Sequence, residues 1–101
     1  FADAPERTAI DAEQAAIARL QATQQNSAIN SVRALLDKDD EIIALRTNIR
    51  KAAEAKVSNG TLAVTDLLRE INSENKARQV KALHEVQLLM NIYQLKYTTN
   101  N

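Results

Sequence analysis

The chain contains one proline and one glycine, and these two residues divide it into two long segments that favour helix. Pro5 suits the first turn of a helix because the N–H group that proline lacks would have no intrahelical partner there. Gly60 follows Asn59 and supplies the left-handed backbone conformation with which many helices end. We therefore predict a first helix over about residues 5–57, a turn over residues 58–63 and a second helix over about residues 64–97.

The composition favours packed helices over a compact mixed fold. Aromatic residues make up 3% of the chain, so Ala, Leu, Ile and Val must form whatever core exists. Charged residues make up 26%, which is typical of long helices that pack along a narrow seam. We predict an all-α fold in which residues 1–101 form a single antiparallel coiled-coil hairpin.

Apolar residues recur at helical spacing in both segments. In the first segment they are Ile10, Ile17, Leu20, Ile29, Val32, Leu35, Leu36, Ile42, Ile43, Leu45, Ile49 and Ala52. The 3-4-3 spacing from Ile42 to Ala52 predicts the coiled-coil seam. In the second segment the predicted stripe contains Val64, Leu67, Leu68, Ile71, Arg78, Ala82, Val86, Leu89, Tyr93 and Tyr97. Two adjacent apolar rows in the first segment indicate contact with more than one neighbouring helix.

The two predicted helices differ in length. At a rise of about 1.5 Å per residue, the first would be about 80 Å long and the second about 50 Å. Antiparallel pairing from the turn leaves residues 5–22 without a partner in the chain. Either neighbouring helices cover this overhang, or the polar stretch at residues 21–30 is a break and the chain forms a three-helix bundle.

The residues that follow Gly60 favour the start of a helix. Thr61 or Thr65 can cap the second helix, because a hydroxyl oxygen at that position accepts a bond from a free backbone N–H. Asp66 falls in the first turn, where a negative charge is favourable.

Several motifs together resemble the C-terminal half of TolC-like outer-membrane efflux proteins. The first is AEAKVSNGTLAVTDLL at residues 53–68, followed by Ala77-Arg78 and by Leu88-Leu89 through Tyr93. The segment at residues 35–57 is similar to members of the family from Bacteroides-type bacteria. The resemblance covers residues 21–99 and implies a long helix that descends to a periplasmic tip and a shorter helix that climbs back.

This resemblance implies a passive conduit for drugs and other small molecules. Members of the family are homotrimers in the outer membrane, and their periplasmic helices form a tunnel. Only strands absent from this chain would enter the membrane, so this chain would be one periplasmic hairpin of a larger protomer. The tunnel tip docks a periplasmic adaptor protein that links the channel to an inner-membrane pump.

Two sets of site residues follow from the resemblance. The implied docking tip consists of Val57, Ser58, Asn59, Gly60, Thr61 and Leu62. Asp66 and Arg69 mark a candidate pore constriction, because some members of the family carry an acidic ring near this position. In this chain an arginine stands where a second acid would complete such a ring.

Other features of the sequence argue against chemistry and against nucleic acid. The 13 basic and 13 acidic residues balance, so no basic surface for nucleic acid is expected. The acidic run at residues 37–41 spreads around a helix and predicts a solvated face, although Asp39 interrupts the seam and could fix its register. His84 is the only histidine, and we expect it to be a packed or solvated helix residue. We expect no enzyme, catalytic residue, cofactor or metal, and the alternative function is a free-standing coiled-coil protein-interaction module.

Overall fold

The computed structural model describes residues 3–100, which form two α-helices joined by a short turn. Helix α1 spans Asp3–Ser58 and has 56 residues, and helix α2 spans Val64–Asn100 and has 37 residues. The hairpin measures 88 × 16 × 14 Å. The prediction of an all-α antiparallel coiled-coil hairpin is confirmed, and the described residues contain no strand. The prediction covered residues 1–101, of which residues 1, 2 and 101 lie outside the described residues.

Helix α1 continues without interruption through residues 21–30, so the chain does not form a three-helix bundle. This stretch contains Gln, Ala, Ser and Asn but no glycine or proline, so nothing in it stops a helix. Its C-terminal half is held by packing, because Ile29 is buried against α2. Gln25 also donates a hydrogen bond from Nε2 to Thr98 Oγ1 at 3.0 Å.

Cross-helix polar pairs define the antiparallel register. Arg50 Nε lies 2.7 Å from Glu74 Oε2, and His84 Nδ1 lies 2.5 Å from Asp39 Oδ2. Together with the bond between Gln25 and Thr98, these pairs lie at increasing distance from the turn on both helices, as antiparallel pairing requires. One unbroken register therefore joins the turn to the far end of α2.

The two helices meet along a seam of buried and half-buried residues with alternating steps of three and four. The seam residues of α1 are Ala22, Gln25, Ile29, Val32, Leu36, Asp39, Ile43, Arg46, Arg50, Ala53 and Val57. Those of α2 are Leu67, Glu70, Glu74, Ala77, Lys81, His84, Leu88, Asn91, Leu95 and Thr98. About half of these side chains are polar, which is unusual for the interior of a coiled coil.

The predicted seam at Ile42–Ala52 is wrong, although the neighbouring apolar row of Ile29, Val32, Leu36 and Ile43 does lie in the seam. Ile42 and Leu45 are 46% and 58% exposed, so the row from Ile42 to Ala52 flanks the seam and does not form it. In α2 most of the predicted stripe is likewise exposed, including Val86, Leu89 and Tyr93. A rotation of α1 about its axis by about 100°, the angle between successive residues, would bury the Ile42–Ala52 row. The same rotation would separate Asp39 and Arg50 from their partners on α2.

The displaced apolar residues occupy two faces of the hairpin. We call the first the front face, where each residue precedes a seam position by one. Both helices are right-handed and they run in opposite directions. The residues that precede seam positions in α1 and those that precede seam positions in α2 therefore lie on the same side of the hairpin. The front face contains Leu35, Ile42, Leu45, Ile49, Val80, Leu83, Met90 and Tyr97. We call the second the back face. Its residues belong to α2 and come one or two positions after a seam residue; they are Leu68, Val86, Leu89 and Tyr93.

The hairpin exposes more surface than a compact protein of its mass. Its accessible surface is 7714 Å², whereas a globular monomer of 11.2 kDa would expose about 5,700 Å². Among the described side chains, Ile29, Val32 and Ala53 are the buried apolar ones. The excess of about 2,000 Å² is more than twice the area of about 800 Å² that each partner contributes to a standard protein–protein interface.

The N-terminal part of α1 extends beyond the end of α2. All side chains at residues 6–21 are exposed, including Ile10, Ile17 and Leu20. At about 1.5 Å per residue, the segment that precedes Ala22 is about 28 Å long. Within the described part of the chain this overhang has no helix to pack against.

We predict opposite effects for two changes at the buried Asp39–His84 pair. His84→Leu should destabilise the hairpin by about 1–3 kcal/mol, because it leaves a buried carboxylate without its partner. Adding Asp39→Leu should reverse the loss and make the double variant more stable than the parent by about 1 kcal/mol. The measurement is urea unfolding followed by circular dichroism. A double variant less stable than His84→Leu alone would contradict this account of the seam.

Candidate functional site

The turn between the helices closes on a regular pattern of hydrogen bonds. Thr61 N donates to Lys56 O at 2.9 Å, and Gly60 N donates to Val57 O at 3.0 Å. These two bonds form a Schellman motif, which satisfies carbonyls that the end of a helix would leave free. Gly60 has a φ of 73°, the left-handed conformation that this motif requires. The predicted role of Gly60 in ending the first helix is confirmed.

The predicted threonine cap of the second helix is wrong. The Thr61 hydroxyl donates to Lys56 O at 3.1 Å and so satisfies the end of α1. The first bonds of α2 run to the carbonyl of Ala63, from Asp66 N at 3.0 Å and Leu67 N at 3.3 Å. Since alanine has no side-chain acceptor, the turn stabilises the end of α1 more than the start of α2.

The six residues of the predicted docking tip lie together at the end of the hairpin. The four central residues, 58–61, are exposed, whereas Val57 and Leu62 are half-buried. The exposed residues are Ser, Asn, Gly and Thr, all small or short and polar. Such a surface lets another backbone approach closely and offers hydrogen-bonding groups to it.

The two residues of the candidate constriction form an ion pair on the first turn of α2. Arg69 Nη1 lies 3.5 Å from Asp66 Oδ1, and the two side chains are 81% and 44% exposed. A pair so exposed contributes little to stability. Its effect is electrostatic, because Arg69 partly neutralises the charge that Asp66 presents.

A groove of about 300 Å³ opens between the helices beside the turn, on the front face. It is lined by Ile49, Ala52, Ala53, Lys56, Leu62, Asp66 and Glu70. Glu70 Oε2 is buried and has no hydrogen-bond donor among the described residues. The groove therefore has a largely apolar wall on α1, which ends at Lys56, and an acidic wall on α2.

Arg50 anchors a charge cluster that was not among the predicted sites. It contacts Glu74 Oε2 at 2.7 Å and Glu54 Oε1 at 2.6 Å, and Arg78 Nε lies 3.8 Å from Glu74 Oε1. The hydrogen bond from Arg50 holds the pKa of Glu74 below its ordinary value of 4.5. The position of Arg50, in step with the Ile29–Val32–Leu36 row, was the available clue to this pairing.

A second cluster joins the acidic run of α1 to the middle of α2. Asp39 is buried against His84, whereas the other residues of the run, at positions 37, 38, 40 and 41, are exposed as expected. Lys81 Nζ lies 2.7 Å from Asp40 Oδ1, and this bond raises the pKa of Lys81 above its ordinary value. Asp39 and His84 are thus packed seam residues.

The described residues contain no group of three or more His, Cys, Asp or Glu side chains placed to hold a metal ion. Within the same part of the chain, neither helix is long and apolar enough to cross a membrane.

The lowered pKa of Glu74 predicts a pH dependence of stability. A carboxylate whose pKa is depressed by folding stabilises the fold above its ordinary pKa of 4.5, and this stabilisation is lost as the pH falls below that value. The gap in unfolding free energy between the parent and Glu74→Gln should therefore narrow on acidification from neutral pH. Urea unfolding at several pH values measures this. Glu41→Gln, at an exposed position, is the control, and a gap that stays constant would contradict the assignment.

Substitutions at Gly60 should separate backbone strain from crowding. A Cβ placed at Gly60 would meet no atom within 4 Å, so any loss comes from the positive φ. We expect Gly60→Val to destabilise the hairpin by about 1–2 kcal/mol and Gly60→Asn by clearly less, because asparagine tolerates the left-handed region. Urea unfolding measures both. Equal losses in the two variants would contradict this explanation.

Comparison with known proteins finds no matching family model, no matching curated protein and no matching solved structure. The similarity to TolC-like proteins therefore stays a prediction that depends on the sequence motifs at residues 21–99.

Proposed function

We propose that this chain is a periplasmic tunnel segment of a TolC-like outer-membrane efflux channel. In this role it contributes passively to a conduit for drugs and other small molecules. The observation that carries the proposal is the inverted distribution of side chains, with polar residues in the seam and large apolar residues outside it. A hairpin built in this way is expected to bury its apolar surface against neighbouring helices.

The arrangement of the two apolar faces favours a wall of helices over a simple dimer. A two-fold dimer through the front face would cover Leu83, Met90 and Tyr97 but leave the back face exposed. Neighbours on both faces arise when hairpins pack side by side and the ring closes, which is how a tunnel is formed. In the family this assembly is a homotrimer of larger protomers.

The overhang of α1 supports the same assignment. Its exposed Ile10 and Ile17 lie one residue before Asp11 and Ala18, which continue the 3-4 seam spacing towards the N-terminus. The front face thus extends past the end of α2. A further helix of the same protomer, stacked end-on above α2, would cover this region. The resemblance implies such a helix, as well as the strands that would place the protomer in the outer membrane.

The turn is the part of the hairpin best suited to dock a periplasmic adaptor protein. Its backbone is held by the Schellman motif, while Ser58, Asn59 and Thr61 remain exposed. A rigid end with small polar residues can meet another helical hairpin at close range. Through the adaptor the channel would connect to an inner-membrane pump. The pairing of Arg69 with Asp66 leads us to expect only weak cation selection at this level.

Site-specific cross-linking in the complete channel tests the docking role. This chain has no cysteine, so in a channel freed of any cysteines elsewhere a single cysteine placed here is a unique attachment point. Thr61→Cys should cross-link to the adaptor, whereas Lys38→Cys, exposed in the middle of α1, should not. Gly60→Val should reduce drug export while the protein still reaches the outer membrane. Unchanged export together with no cross-link at Thr61 would overturn the proposal.

The association state of the isolated chain distinguishes a channel segment from the alternative, a free-standing interaction module. Light scattering over a range of concentrations measures the mass of the isolated chain. A compact monomer with a two-state melt at all concentrations would favour the module, whereas assembly that grows with concentration would favour a piece of a larger wall.

A further inference from the structure

The turn contains the chain's only Asn-Gly sequence, at Asn59 and Gly60. We propose that Asn59 is a site of spontaneous covalent modification, at which cyclisation onto the Gly60 nitrogen converts the side-chain amide to a carboxylate. Both residues are exposed, and they lie in the turn between the helices.

The reaction requires only water. The backbone nitrogen of Gly60 attacks Cγ of Asn59, and a bond from this nitrogen to Cγ forms. The bond from Cγ to Nδ2 breaks, and Nδ2 leaves as ammonia with the proton that the Gly60 nitrogen gives up. Water then opens the cyclic imide at either carbonyl, which yields aspartate or isoaspartate. No group is oxidised or reduced.

The structure favours this reaction at Asn59 over the asparagines in the interiors of the two helices. Those at positions 26, 30, 48, 72, 75 and 91 lie within α1 or α2, where the following N–H belongs to the helical ladder. Gly60 itself carries no side chain, and a Cβ placed there would meet no atom within 4 Å.

One local opening must precede the attack. The Gly60 N–H donates to Val57 O at 3.0 Å, and Asn59 N donates to Ala55 O at 3.0 Å. These bonds close the last turn of α1, and the ends of helices open far more often than their centres do. The reaction should therefore be slower than in a free peptide but much faster than inside either helix.

The product changes the electrostatics of the turn. A carboxylate at residue 59 adds one negative charge to a chain whose formal net charge is zero. It also places that charge at the C-terminal end of α1, where the helix dipole makes a negative charge unfavourable. Any effect on adaptor docking rests on the proposed function, whereas the chemistry requires no partner.

Ageing of the purified full-length chain tests the proposal. After incubation at mildly alkaline pH, trypsin releases residues 57–69, a peptide whose only asparagine is Asn59. We expect isoaspartate and aspartate forms of this peptide, and a new acidic band on isoelectric focusing. Asn59 should convert at least about tenfold faster than Asn48 in the same sample, because the branched side chain of Ile49 hinders attack at Asn48 and helical bonds there must first break. Asn59→Gln should abolish the new band, since closure of the larger ring is slower.

A synthetic peptide of residues 57–69 provides the reference rate for an open turn. Conversion of the folded chain within about tenfold of this rate would support the proposal, since it corresponds to the opening of one or two hydrogen bonds. A folded chain in which Asn59 is as inert as Asn48, while the peptide converts, would overturn it. Either result leaves the cross-linking test of docking unaffected, so the two proposals can fail separately.

Discussion

The register of the hairpin depends on polar contacts inside its seam. Arg50 meets Glu74 near the turn, Asp39 meets His84 near the middle, and Gln25 meets Thr98 at the far end. If α2 slipped by one heptad, each of these buried or half-buried groups would lose its partner, and an unpaired buried charge is strongly unfavourable. Apolar contacts alone would discriminate less between registers, because Leu and Ala recur throughout both helices.

Placing polar residues in the seam has a consequence for the rest of the surface. The large apolar side chains that would ordinarily fill a seam lie instead on the front and back faces. Little apolar area is therefore buried when the two helices pair, and most of the large apolar side chains stay exposed on the hairpin. In the proposed assembly, the seam would fix the register within the chain, and the apolar faces would supply the affinity for neighbouring helices. The turn, with its small exposed residues, stands apart from both.

Part of the fold follows directly from local features of the sequence. The absence of glycine and proline between Pro5 and Gly60 predicts a long continuous helix, since these are the two residues that most strongly disfavour a helix interior. Asn59-Gly60 predicts the turn for the same local reason. The docking role of these residues came from the resemblance to TolC-like proteins and does not follow from backbone preference. The capping threonine could not be placed, because the Thr61 hydroxyl can reach a carbonyl of the preceding helix as well as an N–H of the next one.

The sequence by itself determined the two helices, their unequal lengths and the bend at Gly60, because each depends on backbone preferences within a few residues. Which face of each helix forms the seam was decided only by tertiary structure. The Ile42–Ala52 row is the more apolar candidate, yet it flanks the seam, since the pairing of Asp39 and Arg50 depends on residues 24 to 45 positions away along the chain. The periodicity of one helix records which residues share a face but not which partner that face will meet.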